Sequence, residues 1–108
     1  MPQWQAVADD TVKGVLGTAK GLRTENEAKN VALDDCRTKG GSACKILGTV
    51  GNACMALSVG SMNYFIDGGQ STAEAESKSM TTCADKEPTC RVLYSACSLP
   101  VYKFAMAL

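Results

Sequence analysis

The feature that most constrains this chain is an internal duplication that carries its cysteines. Residues 24–44 and 71–90 follow one pattern, in which Cys36 and Cys83 stand 47 positions apart. A short apolar run and one more cysteine follow each copy. The cysteines therefore form two sets of three: Cys36, Cys44 and Cys54, then Cys83, Cys90 and Cys97. Any fold for this sequence must contain two similar halves, each with its own three cysteines.

Length and charge favour one small soluble domain. The 108 residues can bury a single modest core. We expect one disulfide-stapled domain of two repeats, about residues 4–53 and 54–99, with a C-terminal arm at 100–108. Eleven basic and eleven acidic residues cancel, which argues against nucleic acid or anionic lipid as a partner. No apolar run reaches the roughly 18 residues of a membrane span.

The cysteines also indicate a compartment. Six cysteines without any histidine are typical of disulfides, and hence of an oxidising environment. The first ten residues lack the basic start and the apolar stretch of a signal peptide. We therefore expect that Met1 replaces a signal peptide that has been removed, and that the mature protein is periplasmic or secreted.

The hydrophobic pattern predicts a strand–strand–helix–strand unit that occurs twice. In the first unit the strands are expected at 4–8, 12–20 and 43–50, with a turn at 9–11 and a helix from Thr24. In the second unit they are expected at 53–60, 64–67 and 90–95, with a helix from Ser71. A last strand or arm covers 98–105. The expected fold class is α+β: one mainly antiparallel sheet with two helices on one face.

Both helices begin with a capping box, in which a hydroxyl and a carboxylate bond to the free N–H groups of the first turn. The pairs are Thr24 with Glu27 and Ser71 with Glu74. The spacing of apolar residues then predicts the buried helix faces: Ala28, Val31, Ala32 and Cys36 in the first, and Ala75, Ser79, Met80 and Cys83 in the second. On the first strands, the predicted equivalents of Trp4, Ala6 and Ala8 are Met55, Leu57 and Val59.

The duplication restricts the disulfide pairing, which otherwise has fifteen possibilities. Cys36 and Cys44 lie at either end of a short helix-to-strand loop, and so do Cys83 and Cys90. We therefore pair 36–44 and 83–90, and we pair the equivalent Cys54 and Cys97 with each other. Zinc is the rival interpretation, but the spacings do not match cysteine knuckles. A redox enzyme would need C-x-x-C, which the chain lacks.

The sequence offers little for catalysis. Without histidine, Ser–His–Asp and Cys–His arrangements are impossible. Paired carboxylates remain, but each acidic candidate has a structural explanation. Glu27 and Glu74 cap helices, Asp9 and Asp10 lie in a turn, and the others lie on solvated helix faces: Asp34, Asp35 and Glu76. Gly14, Gly17 and Gly21 do not form a phosphate loop. We expect no enzymatic activity, no cofactor and no metal.

Binding has better candidates. The second hairpin, residues 60–69, carries Met62, Asn63, Tyr64 and Phe65, and aromatic and apolar side chains on a loop are typical of recognition surfaces. The alternative is that the aromatic residues or Ile66 face the core. The tail offers a second apolar set, with a sheet-edge strand as its alternative: Tyr102, Phe104 and Met106. An exposed edge at 12–20 or in the tail would also allow a homodimer.

The arrangement resembles a bacterial family of domains of unknown function, DUF4189. The similarity covers residues 4–97 and rests on the W-x-A-x-A opening, on the Glu-Ala pairs and on the cysteine spacing, at these positions: Trp4, Ala6, Ala8, Glu27, Ala28, Ala32, Leu33, Cys36, Cys44, Cys54, Met55, Ala56, Leu57, Glu74, Ala75, Cys83, Cys90, Val92 and Cys97. The second copy departs from the pattern where Ser79-Met80 replaces Ala-Leu. The resemblance implies an exported or lipid-anchored protein without enzymatic activity.

Two functions follow as hypotheses. Some small exported cysteine-stapled domains of this kind are immunity proteins, so the first is an inhibitor that neutralises a secreted antibacterial effector such as a cell-wall hydrolase. The alternative is a cell-envelope or surface module that binds peptidoglycan or another surface component. An enzyme that uses carboxylates alone ranks third.

Overall fold

The computed structural model describes residues 2–99. They form two consecutive strand–strand–helix–strand units, which confirms the predicted duplication and the α+β class. The first unit contains β1 (Trp4–Asp10), β2 (Val15–Leu22), α1 (Glu25–Thr38) and β3 (Lys45–Gly51). The second contains β4 (Ala53–Val59), β5 (Tyr64–Gly69), α2 (Thr72–Ala84) and β6 (Arg91–Ser98).

The strands form two three-stranded sheets, with one helix packed against each. The strand orders are β2-β1-β3 and β5-β4-β6, so the first strand of each unit is central. β1 pairs antiparallel with both β2 and β3, and β4 pairs antiparallel with β5. The single sheet expected from the sequence is therefore wrong. Each unit completes its own sheet, because its third strand returns beside its first.

The contacts divide the chain into two compact units. Among the described residues, one comprises 2–52 together with Ser98 and Leu99, and the other comprises Ala53–Cys97. The predicted arm at 100–108, with Tyr102, Phe104 and Met106, lies outside the described residues. Within 2–99, no helix has the length and apolar character required to cross a membrane.

The first turn lies later in the chain than the sequence suggested. Asp9 and Asp10 belong to β1, and the turn occupies residues 11–14, so β2 begins at Val15 rather than at Val12. The Asp10 carboxylate accepts the backbone N–H groups of Val12 and Lys13, each at 3.0 Å. Asp10 thus stabilises the turn that follows it, which explains why β1 extends as far as Asp10.

Both helices begin where the capping boxes predicted. The hydroxyl of Thr24 accepts the N–H of Glu27, and the hydroxyl of Ser71 accepts the N–H of Glu74, each at 3.1 Å. The reciprocal carboxylate bonds differ from the ideal box. Glu27 accepts from the Thr24 hydroxyl at 3.2 Å, whereas Glu74 accepts the N–H of Gln70, one residue before the cap, at 3.2 Å.

The buried helix faces are narrower than predicted. Those of α1 and α2 consist of small residues: Ala28, Ala32 and Cys36, and Ala75, Ser79 and Cys83. Val31 is wrongly placed in the sequence-based face, since it is 42% exposed. Met80 is half-buried. Small residues on these faces let each helix approach its sheet closely.

Gly17 of β2 marks the closest approach in the first unit. A Cβ atom at Gly17 would lie 2.2 Å from the carbonyl oxygen of Ala32 and 2.5 Å from the amide nitrogen of Cys36. The core beneath α1 is accordingly built from small side chains of β1, β2 and α1: Ala6, Ala8, Ala19, Ala28, Ala32 and Cys36. Trp4 and Leu33 are partly buried and pack against this core.

In β4 the residues that face the helix are offset by one from the sequence-based alignment. Ala56 packs against Ala75 of α2, and Ser58 donates to the backbone oxygen of Ser79 at 3.0 Å. The equivalents of Trp4, Ala6 and Ala8 are thus Cys54, Ala56 and Ser58, not Met55, Leu57 and Val59. A shift of one residue along a strand exchanges its two faces, and both faces of β4 are apolar enough to hide the error.

The unusual Ser79 has a structural reason. Its hydroxyl lies 2.7 Å from the Ser58 hydroxyl and 2.7 Å from the Phe65 carbonyl oxygen. Both serines are fully buried, and a buried hydroxyl requires such partners. Alanines occupy both equivalent positions of the first unit, Ala8 and Ala32. The two serines therefore replace two alanines as a pair.

The three disulfides join 36 with 44, 54 with 97 and 83 with 90, as the duplication predicted. Two of them close the helix-to-strand loops, and the third joins β4 to β6. In the entropic model the long closure contributes about 4 kcal/mol and each short one about 2.5 kcal/mol. No described cysteine is free.

The close approach at Gly17 can be tested by adding one methyl group. We expect Gly17→Ala to lower the free energy of unfolding by about 3 kcal/mol, because the contacts are with backbone atoms that cannot move aside. Gly14→Asn is the matched control. Gly14 has a φ of +70° and no atom near its Cβ position, and Asn tolerates that conformation. Urea unfolding that shows equal losses for both variants would contradict the close approach.

Candidate functional site

The predicted binding residues lie at the turn between β4 and β5, residues 60–63, which we call the second hairpin turn. Met62 is 83% exposed and Asn63 is also exposed, whereas Tyr64 and Phe65 are half-buried in β5. The sequence-based set therefore divides into two parts. Met62 and Asn63 form the exposed surface of the turn, and Tyr64 and Phe65 lie beside it in β5.

Glu87 fixes the second hairpin turn. One carboxylate oxygen accepts the backbone N–H of Ser61 at 3.1 Å and the Ser61 hydroxyl at 2.8 Å. The other accepts the Asn63 side-chain amide at 2.8 Å. Glu87 is only 7% exposed, and the hydrogen bonds from Ser61 and Asn63 hold its pKa below the usual value. A buried ionised carboxylate with several donors is a strong local constraint.

Glu87 comes from the second disulfide loop, residues 84–89, which the Cys83–Cys90 disulfide closes. Its backbone N–H donates to the Cys83 carbonyl oxygen at 2.7 Å, so the loop folds back on the end of α2. Gly60 makes room for it. A Cβ atom at Gly60 would lie 2.3 Å from Glu87 Cγ. The turn, the carboxylate and the disulfide are therefore one connected structure.

A shallow pocket of about 140 Å³ lies beside this turn. Residues of the turn and of the disulfide loop line it: Val59, Gly60, Ser61, Thr89, Cys90 and Arg91. Arg91 is exposed and forms no ion pair within residues 2–99. The lining offers hydroxyls and one cation but no pair of groups that could transfer a proton.

In the first unit, too, a buried carboxylate connects the hairpin turn to the disulfide loop, but here the carboxylate belongs to the hairpin. Asp10 lies at the end of β1, 1% exposed. Besides the turn at 11–14, its carboxylate accepts the N–H groups of Ser42 and Ala43 at 2.8 and 2.9 Å. Both residues lie in the first disulfide loop, residues 37–43. In each unit, then, one buried carboxylate ties the hairpin turn to the disulfide loop, supplied by the hairpin in one case and by the loop in the other.

The neighbouring carboxyl of Asp9 is in the opposite situation. Asp9 is fully buried, and neither of its oxygens has a hydrogen-bond partner among the described residues. Burial raises its pKa, against a lowering effect of Lys45 and with a small raising effect of Asp10. For Asp10, by contrast, the N–H groups of Ala43, Lys13 and Ser42 lower the pKa to about 2.

The remaining acidic candidates have structural roles. Asp34 forms an exposed ion pair with Arg37 at 2.9 Å. Asp35 accepts the backbone N–H of Thr18 at 2.9 Å and so ties α1 to β2, and that bond lowers its pKa. Glu76 accepts the Ser95 hydroxyl at 2.6 Å. Among residues 2–99, no group of three acidic or cysteine side chains could hold a metal ion.

Sequence reasoning found the exposed turn but missed the residue that fixes it. Glu87 follows the helix and resembles an ordinary loop residue. The only signal was its position inside a loop closed by two cysteines, opposite a glycine at position 60. The roles of Asp9 and Asp10 were wrong, because two adjacent acidic residues were interpreted as a turn when both lie in β1.

The family model of a domain of unknown function (DUF4189) matches residues 4–97. The chain belongs to this family. The match spans both units and all six cysteines, so the family unit is the whole duplicated arrangement. No curated protein and no solved structure matches the chain.

The adjacent carboxyls of this DUF4189 domain should affect stability in opposite directions. Asp10→Asn removes the charge that accepts four N–H groups, so we expect it to lower the melting temperature at pH 7 by several degrees. Asp9→Asn removes a buried charge without hydrogen-bond partners, so we expect it to raise the melting temperature. Thermal unfolding of the three proteins provides the measurement, and shifts of the same sign would contradict the assignment.

The pH dependence of the same variants gives a second prediction. A lowered pKa stabilises the fold above the ordinary value of 3.8 and loses that effect as the pH falls towards 2. The deficit of Asp10→Asn should therefore shrink between pH 4 and 2. A raised pKa costs stability only above the ordinary value, so the gain of Asp9→Asn should vanish below about pH 3.8. Constant differences across this range would contradict both pKa directions.

Proposed function

We propose that this DUF4189 domain is an exported, non-catalytic inhibitor that binds and neutralises a secreted antibacterial effector, such as a cell-wall hydrolase. The second hairpin turn is the part that contacts the effector. The observation that carries the proposal is Met62, an apolar side chain 83% exposed on a turn that Glu87 holds in one conformation.

Order at the turn is what makes it suitable. A flexible loop loses conformational entropy when it binds, whereas a turn already fixed by hydrogen bonds does not. The backbone at Met62 is therefore ordered before binding, and the unbranched thioether adapts to the shape of an apolar pocket. Occupation of an active-site cleft by this turn would exclude the substrate.

The disulfides support the location. Three bonds closed in a domain of this size are typical of proteins that function in an oxidising compartment, and we propose the periplasm or the exterior of the cell. The three disulfides also stabilise the domain against unfolding. Both properties suit an inhibitor that must meet an effector outside the cytoplasm.

The partner can be sought directly. Oxidised protein is immobilised and incubated with the envelope and secreted fractions of the source bacterium, and the bound proteins are identified by mass spectrometry. We expect one stoichiometric protein with hydrolase or toxin features, and we expect co-export of the domain to protect cells that express it. If the protein co-sedimented with purified sacculi and no effector bound to it, the inhibitor proposal would be wrong and the surface-module hypothesis would replace it.

The contact residue can then be tested with a matched pair of variants. We expect Met62→Ser to weaken effector binding at least about tenfold, the effect of losing one buried apolar anchor. Val12→Ser is the control, because Val12 is 88% exposed on the turn of the other hairpin. Binding is measured by calorimetry. If Val12→Ser weakened binding and Met62→Ser did not, the effector would bind the turn at residues 11–14, and the proposed contact at Met62 would be wrong.

A further inference from the structure

Each of the three disulfides joins one fully buried cysteine to one half-buried cysteine, but their surroundings differ. In the first, Cys36 is fully buried and the backbone of Gly41 packs on the bridge, since a Cβ atom there would lie 2.4 Å from the Cys44 sulfur and 2.8 Å from the Cys36 sulfur. In the Cys54–Cys97 bridge, Cys54 is fully buried within the cluster beneath α2, and Cys97 packs against that cluster. Neither bridge adjoins the pocket beside the second hairpin turn.

The Cys83–Cys90 bridge differs from the other two because one of its cysteines lines that pocket. As in the other bridges, one cysteine, Cys83, is fully buried and the other, Cys90, is half-buried. Cys90, however, lines the pocket of about 140 Å³. That volume is several times what a water molecule needs, so it can admit a thiol. Arg91 lines the same pocket, and its positive charge favours the thiolate form of a reagent thiol that enters the pocket.

We propose that Cys90 is a thiol-exchange site, through which a dithiol selectively reduces the Cys83–Cys90 disulfide and thereby releases the second hairpin turn. The reactant class is a solvent-accessible dithiol, either a small molecule or the exposed cysteine pair of a reductase. This site adds redox control to the proposed function. Only its consequence for effector binding rests on that function.

The exchange is balanced in two steps. The thiolate of the dithiol attacks the Cys90 sulfur, forms a mixed disulfide and expels the Cys83 sulfur, which takes up a proton. The second thiol of the reagent then loses its proton, attacks the mixed disulfide at the reagent's own sulfur and expels the Cys90 sulfur, which is protonated in turn. The protein gains two electrons and two protons, and the dithiol is oxidised to its disulfide.

Release of the turn follows from the position of Glu87. Its loop is closed at both ends by the bridge, and within residues 2–99 its carboxylate supplies the side-chain bonds that hold Ser61 and Asn63. Once the bridge opens, the loop gains conformational freedom, which favours states in which these bonds are absent. The carboxylate then leaves the space above Gly60, and Met62 is no longer held in one conformation.

Selectivity can be measured on the oxidised full chain. Dithiothreitol is added, samples are quenched and alkylated over time, and tryptic peptides are analysed by mass spectrometry. Lys39 and Lys86 separate the cysteines of the two short bridges into different peptides. We expect Cys83 and Cys90 to be labelled at least about tenfold faster than the other four cysteines, as an accessible bridge should be. Faster labelling of another pair, or equal labelling of all six, would overturn the proposal.

The role of Arg91 has a matched control in the same loop region. We expect Arg91→Gln to slow the reduction of Cys83–Cys90 about threefold or more, since it removes the cation that lines the pocket and favours the thiolate of the entering reagent. Lys86→Gln removes an exposed cation that does not line the pocket, so it should leave the rate unchanged. Equal slowing by both variants would overturn the assignment of the pocket as the route of attack.

The structural consequence has its own readout. We expect the amide resonances of Ser61, Met62 and Asn63 to shift or broaden in the nitrogen–proton correlation spectrum of the singly reduced protein, while those of Ala28 and Ala32 stay in place. Unchanged resonances at 61–63 would show that the disulfide does not control the turn. Failure to find an effector would remove the proposed function and would leave all three of these outcomes unaffected.

Discussion

A buried carboxylate that binds a hairpin turn to a disulfide-closed loop is the constraint on which each half of this protein depends. Asp10 does so in the first unit by accepting four backbone N–H groups. Glu87 does so in the second by accepting from Ser61 and Asn63. Hydrogen bonds to a charged acceptor are about twice as strong as neutral ones, so one side chain can fix two segments that have no regular secondary structure.

The exchange of roles between the two units explains a pair of sequence differences. Position 60 lies 50 residues after position 10, the same offset that relates Ala6 to Ala56. Where the first unit has the aspartate, the second has Gly60, and the carboxylate of Glu87 fills the space. The same logic applies to Ser58 and Ser79, which replace Ala8 and Ala32 and bond to each other. At these positions the two halves have diverged by paired changes, because a buried polar side chain needs a matching neighbour.

Much of the fold could be predicted because its strongest signals are local or repeated. The helix starts follow from hydroxyl and carboxylate pairs three residues apart, and the disulfides follow from the symmetry of the two cysteine sets. The single sheet was wrong, because strand pairing depends on contacts that no local pattern encodes. Val31 was misplaced because α1 buries only a narrow row of small residues, Ala28, Ala32 and Cys36.

Only part of the candidate site could be predicted from the sequence, because the rest depends on tertiary contacts. An apolar side chain on a glycine-containing turn is evident in the sequence, and Met62 is indeed exposed. The partner of that turn comes from a loop some 25 residues later, and nothing in the local sequence links Glu87 to it. The burial of Asp9 was also hidden, because a carboxyl without hydrogen-bond partners runs against the usual rule for buried polar groups. Such tertiary contacts decide whether an exposed loop is flexible or ordered.

Through its bonds to Ser61 and Asn63, Glu87 holds the second hairpin turn in one conformation. Amide hydrogen exchange at Ser61 tests it most directly, because that N–H lies 3.1 Å from a Glu87 oxygen on a residue that is otherwise exposed. In the oxidised protein we predict exchange at least about a hundredfold slower than in an unstructured peptide, and a return towards the peptide rate in Glu87→Gln. Exchange at the peptide rate in the oxidised wild-type protein would contradict the account.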